Sequence, residues 1–148
     1  MKVELTPFQQ SRPYTCVGAC LRVVLAALGA DYPEDDLARA CNTNPSGATL
    51  SDAANAVRSL GFNALFLPEA TFEMLNGWLQ RGVPMIVGIA VDDLVHGVTG
   101  GHAVVVCGIE EGQVIVVDPA IGAERRLELE TFLRAWRRRN NRGLVVLR

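Results

Sequence analysis

The chain has 148 residues, 49% hydrophobic and 20% charged, which suits a folded core and excludes a disordered polar tail. Its formal net charge of −2 offers no field for nucleic acid or an anionic membrane surface. Its longest apolar runs, such as Val83 to Val91, are about half of what a membrane-spanning helix needs.

No repeat, low-complexity tract or linker divides the chain, so residues 1–148 are read as one domain. The opening MKVELTPFQQ lacks the apolar segment of a secretion signal. The four cysteines, Cys16, Cys20, Cys41 and Cys107, form no CxxC pair, and free thiols in a cytoplasmic protein are expected.

In chain order, Cys16 to Leu28 is small and apolar on all sides and ends at Gly29, which predicts a buried helix. Pro33 opens a short helix over PEDDLARAC, with acidic residues in its first turn. After the loop NPSGA, Thr49 or Ser51 caps a helix that Gly61 stops. Phe62 to Leu67 reads as a strand, and Thr71 to Gln80 as a helix capped by Thr71. Val83 to Val91 is apolar and β-branched, as in a central strand. A polar loop, Asp92 to Gly101, precedes two strands, His102 to Ile109 and Gln113 to Val117, joined through Glu110-Glu111-Gly112 as a hairpin. A short strand over Arg125 to Leu129, a helix over Glu130 to Arg138 and a strand over Leu144 to Leu147 close the chain. Helices first and mostly antiparallel strands afterwards indicate an α+β fold. The basic run Arg134, Arg137, Arg138, Arg139 and Arg142 reads as a solvated last helical turn, where cations suit the helix dipole.

Three positions invite a chemical reading. Cys16 opens the buried helix directly after a polar, proline-bearing loop. Unpaired N–H groups at a helix start favour the thiolate, which is the nucleophilic form. His102 begins an apolar strand behind two glycines, a costly place for imidazole unless both ring nitrogens have partners. Asp118 ends the next strand, just as Pro119 breaks the ladder. In a hairpin turning at Glu111, positions 102 and 118 pair within a residue or two, as an imidazole held by a carboxylate requires. Gln10, six residues before Cys16, adds an amide able to donate to an oxyanion. Each also has a plain reading: a core thiol, a satisfied strand histidine and a turn aspartate.

With these residues in view, the sequence resembles the bacteriocin-processing, double-glycine-leader cysteine peptidases and their stand-alone relatives in the papain-like superfamily. The resemblance is carried by Gln10, five residues and then Cys16 followed by small residues, by His102 with AVVV, and by Asp118-Pro119. GATLSDAANAVRSLGFNA, RGVPMIVGI and VVDPAIGAERRLELETFLRAW extend it over nearly the whole chain. One difference is Val17 directly after the cysteine, where many members carry glycine; Gly18 follows. The resemblance implies a papain-like fold and peptide-bond cleavage through a thioester. In it Cys16 is the nucleophile, His102 shuttles the proton, Asp118 orients the imidazole, and Gln10 and the Cys16 N–H stabilise the oxyanion. It implies a peptide or protein substrate and no metal or organic cofactor. No transporter domain is expected, so a substrate other than an exported leader is admitted.

Rival readings stay in view. They are a silent peptide-binding domain of the same fold, a thiol acyl transfer such as deamidation or isopeptide cleavage, and a zinc site drawn from Cys16, Cys20, His96 or His102, and Cys107. His96 competes with His102 as base but has no strand pairing it to an acid. Cys20, Cys41 and Cys107 read as structural, Trp78 and Trp136 as core or groove aromatics, and Asp92 and Asp93 as loop or cleft-mouth polarity.

Overall fold

The computed structural model describes residues 2–91 and 101–148. Among them the elements run α1 (Cys16–Ala27), α2 (Glu34–Ala40), α3 (Leu50–Ser59), β1 (Asn63–Leu67), α4 (Phe72–Gln80), β2 (Met85–Ala90), β3 (Gly101–Glu110), β4 (Gln113–Asp118), β5 (Ala123–Glu128), α5 (Leu129–Arg137) and β6 (Gly143–Leu147). The local signals are the expected ones. The Thr49 hydroxyl accepts from the Asp52 N–H at 3.0 Å, and that of Thr71 accepts from the Met74 N–H at 3.1 Å. Gly29 leaves α1 with φ at 85°, a conformation that glycine adopts without strain. Glu111 and Gly112 both take positive φ, which is the tight hairpin turn between β3 and β4.

The strands form one antiparallel sheet in the order β1-β6-β2-β3-β4-β5, as the α+β reading requires. Helices cover both of its faces. On one, α1, α2 and α3 pack through Leu21, Leu25, Leu37 and Val57 onto Ile86, Val105, Ile115 and Leu144. On the other, α4 and α5 pack through Leu75, Leu79, Phe132 and Trp136 onto Val87, Val104, Val116 and Val145. Burying Phe132 and Trp136 stabilises α5 on the sheet by about 1.5–3 kcal/mol each. Two dry faces explain why β2, β3 and β4 are apolar at consecutive positions instead of alternating. β5, at the sheet edge, does alternate. It begins at Ala123, two residues earlier than expected, because β4 remains paired as far as Asp118, opposite Ala123. Leu129 consequently belongs to α5 rather than to the strand.

The β3–β4 ladder is not regular. Gly108 faces Ile115, but Val106 faces Val116, so Cys107 is one residue too many. Continued regularly from Gly108, the ladder would set Asp118 opposite Val105, on the opposite alternation to His102. The bulge sets it opposite Val104 instead, on the same alternation as His102, as a diagonal neighbour.

Candidate active site

Cys16 is the first residue of α1, and the loop before it is tightly tied. The Arg12 carbonyl accepts from the Thr15 N–H at 3.2 Å, the Thr15 hydroxyl at 3.0 Å and the Gln10 amide Nε2 at 2.9 Å. The Thr15 hydroxyl accepts in return from the Arg12 N–H at 3.1 Å. Glu34, buried in the first turn of α2, accepts from the Ser11 N–H at 3.0 Å and the Ser11 hydroxyl at 3.1 Å. On its other side the loop meets the turn after β4. The Gln10 N–H donates to the Pro119 carbonyl at 2.8 Å. A Cβ at Gly122 would stand 2.7 Å from the Gln9 Cβ, so this approach requires glycine.

The hairpin brings the base to its carboxylate. His102 Nε2 lies 2.7 Å from Asp118 Oδ1, and the two side chains are 9% and 1% exposed. Asp118 takes two further donors, the Ala120 N–H on Oδ1 at 2.9 Å and Arg125 Nη1 on Oδ2 at 3.2 Å. A buried carboxylate held by such donors is satisfied and fixed. Nε2 faces Asp118, and the ring lies close enough to the Cys16 thiol for each group to shift the other's charge.

The charges follow from that contact. Burial works against the Cys16 thiolate, but the His102 hydrogen bond and charge, with the N–H groups of Ala103 and Val17, outweigh it and hold the thiol below its ordinary value. Burial also opposes the imidazolium, yet Asp118 and Cys16 push His102 up to about 9. Both shifts favour the thiolate–imidazolium pair over the neutral thiol and imidazole. The other three cysteines go the opposite way. Burial sends Cys20 well above its usual value, and Cys41 and Cys107 up to about 12. All four are free thiols.

A cleft of ≈ 710 Å³ opens beside Cys16 and His102, between the loop before α3 and the strands β2 and β3. Of the four residues singled out from sequence, the structure brings Cys16, His102 and Asp118 together: His102 is hydrogen-bonded to Asp118 and lines one cleft with Cys16. Gln10 is docked beside the Asp118 turn, does not line the cleft, and buries its Oε1 without a partner. His96, Asp92 and Asp93 lie outside the described residues. Cys107 is five residues along β3 from His102, about 16 Å in a strand, so those two cannot share a metal ion. Among the described residues no group of three or more His, Cys, Asp or Glu is placed to hold one. No described helix is long and apolar enough to cross a membrane. Sequence reasoning missed Arg125, whose signal was its place across the β4–β5 turn from Asp118, and Glu34, which looks like an ordinary first-turn acid. It also missed Arg139 and Arg142. The helix ends at Arg137, and these two arginines line the cleft.

Comparisons with known proteins bear on the family and the fold. The Peptidase C39 family profile matches residues 4–140. An uncharacterized protein of Methanothermobacter thermautotrophicus is 31% identical over 116 residues, covering 76% of this chain and 70% of its own. The fold matches the peptidase domain of Streptococcus ComA, a bi-functional ABC transporter involved in a quorum-sensing pathway, with a TM-score of 0.79 and 23% identity over 98% of both chains. It also matches a double glycine motif protease from an AMS/PCAT transporter, solved in complex with the leader peptide. That TM-score is 0.77, with 19% identity over 99% of this chain and 93% of the other. The family profile spans the cysteine, the histidine and the aspartate alike, and the chain belongs to the peptidase C39 family.

Proposed function

We propose that the chain is a cysteine peptidase whose nucleophile is Cys16, acting on a peptide or protein segment. The observation that carries the reading is the juxtaposition of Cys16 with the His102–Asp118 hydrogen bond at one cleft, where Cys16 alone of four cysteines is held below the ordinary thiol range. The Cys16 thiolate attacks the scissile carbonyl carbon. The tetrahedral oxyanion collapses, the C–N bond breaks, and the His102 imidazolium gives its proton to the departing amine. Neutral His102 then takes a proton from water, hydroxide attacks the thioester, and the thiolate leaves with the imidazolium restored. Asp118 keeps the ring oriented and supports its positive form. The Cys16 N–H at the start of α1 is the donor assigned to the oxyanion, and the Gln10 amide, which donates to the Arg12 carbonyl, would have to turn toward the cleft to add a second. A peptide substrate is supported by the leader-bound relative of the same fold.

The test is alkylation by iodoacetamide at graded pH, with the modified cysteine located by mass spectrometry in the native chain and in His102→Ala. Selective labelling of Cys16 near neutral pH, weakened in the variant, is the expected result. Slow labelling that the variant does not change would make Cys16 an ordinary thiol and leave a silent peptide-binding domain as the better description.

A further inference from the structure

The cleft beside Cys16 has a chemical character that the catalytic groups do not use. Gly88 and Ala103, partners across β2 and β3, give it a small-residue lining, and Phe66 and Pro68 give it an apolar one. A Cβ built on Gly88 meets nothing within 4 Å, so the space beside this backbone is open. Among the described residues the charged lining is of one sign. Arg139 and Arg142 line the cleft, and among the described residues no carboxylate does. Neither guanidinium forms an ion pair among the described residues.

Arg139 also lies close against Gly101. An ideal Cβ on Gly101 would fall 2.7 Å from its Nη2 and 2.8 Å from its Cζ, so the guanidinium takes the space that a side chain before His102 would occupy. A carboxylate bound in this cleft can accept several N–H donors from guanidinium groups that line it. The chain as a whole is slightly acidic, with 14 Lys and Arg against 16 Asp and Glu, so this is a local feature and not a share of a basic surface.

We propose that Arg139 and Arg142 form a subsite for an acidic side chain of the peptide substrate, lying along the cleft that starts at Cys16. The inference rests on the peptidase reading of Cys16 and adds a preference in substrate sequence. An apolar or small side chain over Gly88 fits the same strand of substrate.

The probes are bromoacetyl amides ending in glutamate amide, with zero, one or two glycine spacers, each beside its glutamine counterpart. The readout is the rate of Cys16 alkylation by intact-mass spectrometry, with bromoacetamide as the reference. At one spacer length the glutamate reagent is expected to react about tenfold faster than its glutamine counterpart. In Arg139→Gln/Arg142→Gln that ratio falls to within about twofold, while the bromoacetamide rate stays the same. Ratios near one at every spacer in the native chain, or a ratio that survives in the double variant, would overturn the subsite. Reagents ending in a free glycine carboxylate that outpace the glutamate ones would also overturn it, in favour of a chain terminus. Failure of the peptidase reading shows separately, as a bromoacetamide rate at Cys16 no faster than that of an ordinary thiol.

Discussion

Cys16 and Cys20 stand one turn apart on α1, about 6 Å along its axis, and have opposite chemistry. Cys20 is fully buried among apolar neighbours, and burial first, then the nearby charges of Cys16 and Asp118, hold its proton on. Cys16 is half-buried, has the free N–H groups of the first turn around it, and meets His102 from the sheet. The helix supplies the same residue twice; the strand decides which copy becomes a nucleophile.

The sharpest way to break this contrast is to remove the strand's contribution. In His102→Ala, peptide hydrolysis is expected to fall by about 10³-fold or more. Labelling of Cys16 at pH 7 should fall up to about 100-fold, since a thiol near its ordinary pKa is only about 1% ionised there. Next comes the support beneath the base. Asp118→Ala leaves Arg125 and His102 without their shared carboxylate, at a cost of about 3 kcal/mol in urea unfolding. The pH dependence of stability reads the same pair. His102 is raised from 6.5 to about 9, so the folded state binds its proton more tightly. Its contribution is therefore complete below about pH 6.5 and is lost as pH rises through about 9. His102→Gln should flatten the fall of Tm over that interval. The smallest effect belongs to the quiet cysteine: Cys20→Ala should cost about 1 kcal/mol and leave Cys16 labelling within about twofold.

Much of this was legible in the residues. Gly29, Thr49, Thr71 and the Glu111-Gly112 turn act through the few residues around them, and such signals survive folding. His102 and Asp118 could be placed together because a tight hairpin converts sequence distance into spatial distance. The bulge at Cys107 has no such signature. It lies in an unbroken apolar run, where an extra residue looks like any other. Arg125 on Asp118, Glu34 beneath Ser11 and Arg139 against Gly101 are contacts between elements, settled only once the sheet order and the helix layers are known. Read from sequence, Arg139 belongs with its basic neighbours to a solvated last helical turn, and its place against Gly101 departs from that reading.

The bulge carries a consequence for how the chain tolerates changes in length. A residue inserted between His102 and Val106 would turn the imidazole to the far side of the sheet from Asp118 while leaving the ladder intact, unless a second bulge absorbed it. A residue inserted at the hairpin tip, outside the ladder, would leave their relation untouched. Along this arm, then, length is counted in twos, and a single extra codon there would give a folded protein with its base facing away from the carboxylate.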